Sequence, residues 1–388
     1  MSGDASATSG KVTDWIAEHT ADMLDDLREY VGIETPSDDV DALRRGREWV
    51  TAWVTDRLGP ASSATTHGGG EHGDTVVLDF DADGVGGVTV AMLAHYDTVW
   101  PVGTLAAIPF SVSDDTIRGP GVFDMKAGLV QAVWAVQALS ALGLPRPALR
   151  LVLNGDEEIG SLSSRPVIED ACRDATEVLV FEASAGGAVK TARKGVGIFD
   201  VTLTGVEAHA GLDPTAGASA ITALAALVDD VHALTDLEAG TTANVGLVHG
   251  GTRRNVTAGQ AIAGVDIRVA VQTESDRVEH ALHGWRPADP RVQVRIDGGW
   301  NRPVMARSAG TAALYERARS LAADLGFDLR EVSVGGASDG NFAAALGRPV
   351  LDGLGAVGDG AHARSEHATV SGMVYRATLT AALLSSRG

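Results

Sequence analysis

The segment GVTVAMLAHYD (residues 87–97) is apolar along most of its length and ends in a histidine and an aspartate. A strand that is apolar on both faces is typical of a parallel sheet whose two faces are covered by helices. The same pattern returns in ALRLVLNGDEE (148–158) and EVLVFEAS (177–184), and a long helical pattern, KAGLVQAVWAVQALSALG (126–143), lies between the first two. This alternation predicts an α/β layer with a mostly parallel central sheet.

The amino-terminal region carries helical patterns. Residues 12–32 place apolar side chains at helical spacing and predict one helix, which ETPSDD (34–39) should end. A second helix is expected over residues 38–58.

The strand 87–97 is too apolar to face water, so we expect it near the centre of the sheet.

A different pattern begins near residue 195. Its strands are GIFDVTLTG (197–205), ANVGLVHGG (243–251), AIAGVDIRVAV (261–271) and RVQVRIDGG (291–299), with helices expected at 215–235 and 275–284. Such a set is typical of a smaller α+β domain inserted into the larger one. We expect the larger domain to comprise residues 1–194 and 299–388, and the inserted domain residues 195–298.

Composition excludes several classes of partner. A net charge of −20 over 388 residues repels nucleic acid and anionic membranes, so neither is an expected partner. The single cysteine, Cys172, excludes an intramolecular disulfide and a cysteine-rich zinc site, and its sequence context predicts an ordinary helix. Neither a signal peptide nor an apolar run of ~18 residues is recognisable. We therefore expect a soluble, cytoplasmic protein.

Acidic and imidazole side chains follow the apolar strands. These residues are His95, Asp97, Glu157, Glu158 and Glu182, and Asp124 joins them from RGPGVFDMKAG (118–128), just before the long helix. Parallel strands bring their carboxyl ends to one edge, where so many carboxylates could not all stay ionised without a positive partner. Carboxylates and imidazoles without thiolates suit Zn²⁺, or Mn²⁺ or Co²⁺.

Each of these features alone has an ordinary structural explanation. A histidine at a strand end is usually a satisfied core residue, adjacent glutamates are usually solvated, and an aspartate before a helix is usually an N-cap. Their recurrence at successive strand ends, in apolar contexts, favours a metal site instead.

Six motifs resemble, in order and spacing, the M20 family of di-zinc metallopeptidases, most closely its glutamate carboxypeptidase branch. They are HYDTV (95–99), RGPGVFDMKAG (118–128), GDEEIGS (155–161), FEAS (181–184), EAHAG (207–211) and GAHARSEH (360–367). The resemblance covers nearly the whole chain. It implies a zinc-peptidase-like catalytic domain with an inserted lid or dimerisation domain, and two Zn²⁺ ions, with Co²⁺ or Mn²⁺ as alternatives.

The resemblance also implies a ligand set. His95 and Glu182 would bind one zinc, Glu158 and His362 the other, and Asp124 would bridge them. The peptide bond after Asp124 is expected to be cis.

One ligand of this set has a rival within the carboxyl-terminal motif, because His367 stands where the family commonly has a tyrosine. His362 precedes Glu366 by the family's usual offset of four residues, so we favour His362 as the ligand.

The resemblance further assigns catalytic roles. Asp97 would hydrogen-bond His95, Glu157 would be the general base, and His209 would donate a hydrogen bond to the oxyanion, in some relatives across a dimer. For His209 the ordinary alternative is a residue at the entry of a helix. Asp156 receives no role.

Substrate contacts are expected in the inserted region and at a glycine pair of the larger domain. Arg268 occupies the position where carboxypeptidase relatives bind the terminal carboxylate, and Asn255 accompanies it; an ion pair between Arg268 and Asp266 is the ordinary alternative. Gly335 and Gly336 would let the substrate backbone approach, or would form a turn.

The expected reaction is release of a C-terminal glutamate or similar amino acid from a peptide or N-acyl conjugate. An N-acyl-amino-acid amidohydrolase, a dipeptidase or tripeptidase, and a non-catalytic binding protein are the alternatives. We expect a homodimer, paired through an edge that 197–205 and 243–251 leave free.

Overall fold

The structure is a computed structural model that describes the backbone of residues 2–386 and the side chains of residues 10–386. It divides into two compact units. The first comprises Met1–Ala192, Arg307–Ser333 and Ser338–Gly388, and the second comprises Arg193–Ala306 and Val334–Ala337.

The elements are numbered in chain order. The helices are α1 (Ser2–Glu18), α2 (Thr20–Val31), α3 (Val40–Leu58), α4 (Thr104–Ala107), α5 (Ala127–Ala141), α6 (Arg165–Cys172), α7 (Ala220–His232), α8 (Gln272–Gly284), α9 (Ala309–Asp324), α10 (Gly340–Ala345) and α11 (Val370–Ser385). The strands are β1 (Ser63–His67), β2 (Thr75–Phe80), β3 (Gly84–His95), β4 (Ser111–Ser113), β5 (Thr116–Arg118), β6 (Arg146–Asn154), β7 (Glu177–Val180), β8 (Val189–Arg193), β9 (Gly195–Thr204), β10 (Thr242–Gly250), β11 (Gln260–Val269), β12 (Gln293–Arg302), β13 (Glu331–Val334), β14 (Val350–Leu351), β15 (Gly358–Asp359) and β16 (His367–Thr369).

The first unit is built on a six-stranded sheet in the order β1-β2-β6-β3-β7-β14. Strands β6, β3, β7 and β14 run parallel, whereas β1 and β2 are antiparallel additions at one edge. The predicted mixed α/β fold with a mostly parallel central sheet is confirmed. Helix α5 is buried along most of its length, which explains why its sequence is apolar all round.

Close packing fixes where α5 begins. A Cβ atom added at Gly128 would lie 2.1 Å from the carbonyl oxygen of Phe181, so only glycine allows α5 to approach the segment that follows β7. That segment continues directly into Glu182.

The single helix predicted over residues 12–32 is wrong, because the chain breaks at His19 into α1 and α2. The His19 ring packs on Trp15 with a centroid separation of 4.0 Å, and its Nδ1 lies 2.8 Å from the Trp15 carbonyl oxygen. The Thr20 hydroxyl donates to the Ala17 carbonyl at 2.9 Å. Side chains that bond to nearby backbone groups in this way compete with regular helix hydrogen bonds.

The second unit has its own apolar core beneath a four-stranded antiparallel sheet in the order β10-β11-β9-β12. Strand β9, which contains GIFDVTLT, pairs with β11 and β12, so the expectation that it leaves a free edge is wrong. The strand that contains ANVGLVHG, β10, does lie at an edge. In residues 2–386 no helix has both the length and the apolar character needed to cross a membrane.

Candidate metal centre

The candidate polar residues from the sequence lie at the carboxyl ends of three neighbouring strands. His95 is the last residue of β3, Glu157 and Glu158 lie in a short 3-10 turn after β6, and Glu182 follows β7. Because β3, β6 and β7 are parallel, all of these residues emerge at one edge of the sheet.

Asp124 enters the same place from the turn that precedes α5. Asp124 (φ −119°, ψ 97°) and Met125 are not helical, and the bond between them is cis, as the resemblance leads one to expect. Gly121 begins this turn with φ 73°, a value that favours glycine.

His362 reaches the cluster from a carboxyl-terminal turn, in which its own φ is 61°. Its Nε2 lies 3.0 Å from Glu158 Oε2 and 3.3 Å from Asp124 Oδ2. The rival His367 instead lies in β16, with its Nδ1 3.0 Å from the Ser365 carbonyl oxygen. The geometry therefore favours His362 at the carboxylates.

The second imidazole lies on the other side of Asp124. His95 Nε2 is 3.4 Å from Asp124 Oδ1 and 3.5 Å from Glu182 Oε1. Asp124 thus offers one oxygen to each histidine, as a bridging carboxylate would.

Two overlapping groups of ligand atoms are compact enough to hold an ion. One consists of His95, Asp124 and Glu158, and the other of His95, Glu157 and Glu182, with the atoms of each group within 4.8 Å of one another. Glu157 therefore lies as close to the cluster as the glutamates that the sequence proposed as ligands, and its separate role as base stays a prediction.

The carboxylates of the cluster lie close together, and they shift the pKa values of the neighbouring imidazoles. Asp124 and Glu158 hold the pKa of His362 at about 10. Burial raises the pKa of Glu158 to about 7, although His362 acts in the opposite direction. The pKa of Glu158 is raised although His362 lies beside it, because burial disfavours the Glu158 carboxylate more strongly than the half-exposed imidazole stabilises it.

The pKa values of His95 and Asp124 are also shifted by the neighbouring charges of the cluster. Burial opposes the charging of His95, yet the carboxylates of Asp124, Asp97 and Glu182 outweigh it and raise the pKa of His95 well above its ordinary value. Burial also opposes the charging of Asp124, but the pKa of its carboxyl is lowered by the two imidazoles.

These residues fit a divalent metal. Buried polar atoms normally have partners, yet within the described residues His95 Nε2 and Glu158 Oε1 are buried and accept or donate no hydrogen bond. Both atoms belong to the cluster. A set of imidazole nitrogens and carboxylate oxygens is one that Zn²⁺, Mn²⁺ and Co²⁺ accept.

Asp97 contacts both the glutamate turn and His95 from outside the cluster of candidate ligands. Its carboxylate accepts hydrogen bonds from the amides of Glu157 and Glu158, both at 3.2 Å, and from the Ser37 hydroxyl at 2.7 Å. His95 Nδ1 lies 3.0 Å from the Asp97 carbonyl oxygen and 3.3 Å from Oδ1. Asp97 therefore contacts Nδ1 of His95, which leaves Nε2 facing the cluster.

Asp156, which the sequence left without a role, is fully buried. Its Oδ2 accepts from the amides of Ser163 and Ser164 at 2.7 and 3.1 Å, and from the Ser163 hydroxyl at 2.8 Å. It thereby fixes the chain entering α6 and the turn that carries Glu157 and Glu158.

The substrate residues proposed from the sequence lie in the second unit. Arg268 donates from Nε and Nη2 to Asp266 at 3.1 and 3.2 Å, and from Nη1 to the Gly335 carbonyl at 3.2 Å. The ion pair with Asp266 therefore exists, and Arg268 and Gly335 are neighbours. A Cβ atom at Gly335 or Gly336 would meet nothing within 4 Å, so space does not require glycine there.

His209 and Asn255 also lie close together, since the amide of Ala210 donates to the Asn255 carbonyl at 3.0 Å. His209 is exposed and begins a turn, with its carbonyl accepting from Asp213 at 3.0 Å. Because α7 begins only at Ala220, the helix-entry explanation for His209 is wrong.

The single cysteine belongs to a structural helix. Cys172 is buried in α6, and burial raises the pKa of its thiol to about 12. A thiol with so high a pKa is a poor nucleophile.

Comparisons with known proteins identify the family of the chain. The family described as "Peptidase family M20/M25/M40" matches residues 91–386. Carboxypeptidase G2 of Pseudomonas sp. (strain RS-16) is 27% identical over 373 residues, 94% of this chain and 89% of that protein. Succinyl-diaminopimelate desuccinylase of Acidovorax ebreus is 27% identical over 288 residues, 68% of this chain and 72% of that protein.

Among solved structures, a tripeptidase from Staphylococcus aureus superposes with a TM-score of 0.80 at 20% identity, over 95% of this chain and 98% of that one. At this identity the likeness concerns the fold.

Proposed function

The chain belongs to peptidase family M20/M25/M40, and from that premise we propose a zinc-dependent carboxypeptidase that releases C-terminal glutamate or a similar amino acid. Family membership makes the chain a metallopeptidase or amidohydrolase. The observation that carries the proposal is the cluster of several carboxylates around the buried His95 at one sheet edge, which the half-exposed His362 joins and beside which Glu157 lies.

His95 and Glu182 would hold one ion, Glu158 and His362 the other, and Asp124 both. Bound divalent ions supply a Lewis acid that polarises the scissile carbonyl and lowers the pKa of bound water. Glu157 accepts the proton of the attacking water on a carboxylate oxygen and delivers it to the departing amine. Asp97 holds His95 in its tautomer, and its contacts with both glutamate amides keep Glu157 and Glu158 aligned.

Residues of the second unit would recognise the substrate. Arginine has five N–H donors, of which Arg268 uses three within the described residues, so two remain for a substrate carboxylate. Asn255 and the backbone at Gly335 and Gly336 would complete the contact. His209 would donate a hydrogen bond to the oxyanion of the tetrahedral intermediate.

The carboxypeptidase activity is supported by the similarity to carboxypeptidase G2 over 94% of the chain, and the preference for glutamate by the resemblance of the sequence motifs to the glutamate carboxypeptidase branch. An N-acyl-amino-acid amidohydrolase is the second candidate, because the desuccinylase of Acidovorax ebreus shares the same identity over a shorter stretch. Both reactions cleave an amide next to a carboxylate, so they differ in the acyl group that the pocket accepts.

We also propose a homodimer and a cytoplasmic location. The edge strand β10 exposes Leu247 and Val248 by 66% and 53%, which offers an apolar edge to a second copy of the chain. The location is supported by the cysteine content, because a single cysteine excludes an intramolecular disulfide.

A hydrolysis screen with the zinc-loaded protein tests the function. The C-terminal residue and the N-acyl group are varied independently, each with a C-terminal amide as the matched compound without a carboxylate. We expect turnover of the carboxylate forms and loss of that preference in Arg268→Ala. The variant Glu157→Gln should retain its metal but lose ~10²–10⁴-fold in kcat. Undiminished turnover by Glu157→Gln would remove Glu157 from the role of base.

A further inference from the structure

Another buried carboxylate, that of Glu366, lies beside the cluster of candidate metal ligands without belonging to it. Glu366 is 2% exposed and follows His362 by four residues. In the sequence, the position of Glu366 only distinguishes His362 from His367 as the candidate ligand. In the structure, its side chain makes specific contacts.

All of these contacts are with hydrogen-bond donors. Oε1 of Glu366 accepts from the amides of Phe123 and Asp124 at 2.9 and 3.1 Å. Oε2 accepts from the amide of Gly121 at 2.9 Å and from Trp100 Nε1 at 2.7 Å. Three of the four donors are backbone amides of the turn that carries Asp124, so the carboxylate fixes the backbone of that turn directly.

The backbone of Glu366 closes the turn that carries His362. The Glu366 amide donates to the Ala363 carbonyl at 2.9 Å, and the Ala363 amide donates to the Gly360 carbonyl at 2.9 Å. Gly360 has φ 83°, and a Cβ atom there would lie 3.0 Å from the Glu366 amide nitrogen, so this turn is tightly folded.

One residue therefore joins the two turns that supply Asp124 and His362. Those two residues meet at 3.3 Å between His362 Nε2 and Asp124 Oδ2, although they lie far apart in the chain. Trp100 adds a third loop, the one that follows Asp97.

We infer that Glu366 is a positioning residue of the metal centre, whose carboxylate holds the Asp124 turn against the His362 turn before any metal binds. A carboxylate suits this task because both of its oxygens accept, and all four of its partners donate. The inference rests on the proposed metal-dependent function.

The substitution Glu366→Gln tests this role with little change of shape. One oxygen becomes an amino group, which must then face either the amides of Phe123 and Asp124 or the donors of Gly121 and Trp100. The assay is Zn²⁺ affinity of the full-length, metal-depleted protein, measured by competition with a chromophoric chelator. We expect Zn²⁺ binding ~10–100-fold weaker, the usual effect of losing a residue that supports metal ligands.

Glu177→Gln is the matched control. Glu177 is also 2% exposed and accepts from Arg317 Nη2 at 2.7 and 2.8 Å, but it begins β7, at the opposite end of that strand from Glu182. The control should lower the unfolding temperature and leave Zn²⁺ affinity unchanged. Wild-type affinity in Glu366→Gln, or an equal loss in Glu177→Gln, would overturn the inference.

A measurement on the wild-type protein decides the matter if Glu366→Gln does not fold. In the metal-depleted protein, the amides of Gly121, Phe123 and Asp124 should be protected from hydrogen exchange, because Glu366 already accepts from them. Rapid exchange of all three amides in the folded, metal-free protein would contradict the inference.

The same experiments separate this inference from the proposed function, because they report metal affinity and not turnover. If the wild-type protein hydrolyses nothing in the substrate screen while Glu366→Gln loses Zn²⁺ affinity, the proposed function fails and the positioning role holds.

Discussion

Metal binding to this centre should displace protons, and their number follows from the charges of the cluster. In the metal-free protein the pKa of His362 is about 10, and that of His95 is well above its ordinary value. At pH 7 the imidazole of His362 is therefore protonated, and the raised pKa of His95 favours its protonated form as well, whereas a metal requires the neutral form of both. Glu158, with a pKa of about 7, holds a further half proton on average.

We therefore expect release of about two to three protons when the centre fills at pH 7. The sign follows from the raised pKa values: lowering the pH stabilises the protonated imidazoles and weakens metal binding, and raising it does the reverse. Since each displaced proton contributes about tenfold per pH unit, the product of the apparent Zn²⁺ affinities of the two ions should rise by about 100-fold to 1000-fold per unit near pH 7.

Calorimetric titration of metal-depleted protein with Zn²⁺ measures this number, when repeated at pH 7 in two buffers of different ionisation enthalpy. His362→Ala should release about one proton fewer. His367→Ala, in the same carboxyl-terminal motif, should behave as the wild type, because its ring lies against the Ser365 carbonyl. Release of less than one proton by the wild type, or equal effects of the two substitutions, would refute this account of the site.

Two further predictions concern α6. Asp156→Ala leaves the buried amides of Ser163 and Ser164 without their acceptor and should lower the free energy of unfolding by about 3 kcal/mol in denaturant titration. Asp170→Ala, on the exposed face of α6, is the control and should change the free energy of unfolding by less than about 0.5 kcal/mol. Equal unfolding midpoints of the two variants would show that the Asp156 contacts do not stabilise the fold. Cys172, with a thiol pKa of about 12, should not react with a thiol reagent at pH 8 until the protein is unfolded, and prompt reaction of the native protein would contradict its burial.

The sequence predicted the sheet edge well because the relevant signals are local. An apolar run that ends abruptly in a polar residue marks both a buried strand and its terminus, and that pattern located His95, Glu158 and Glu182. The offset between His362 and Glu366 selected the histidine that the structure brings to Asp124. Here the residue pattern and the family resemblance led to the same place.

Other features depend on partners distant in the chain, which no local pattern reveals. Strand order within the second unit is one example: β9 and β10 look alike in sequence, yet β9 is central and β10 lies at the edge. Glu366 is another, since it is recognised as structural only when the amides that it accepts from are known.

The acidic residues around the centre therefore perform two physically different tasks. Asp124, Glu158 and Glu182 face the imidazoles and require cations, whereas Asp97, Asp156 and Glu366 face backbone amides. A carboxylate that accepts from several amides holds a loop in place without a metal, because its charge is stabilised by N–H dipoles. Loops at the ends of parallel strands have few backbone partners of their own, so these buried carboxylates supply the rigidity that a preformed metal site needs. Adjacent acids such as Asp156 and Glu157 are thus compatible because they point to different partners, one to the start of α6 and the other to the metal cluster.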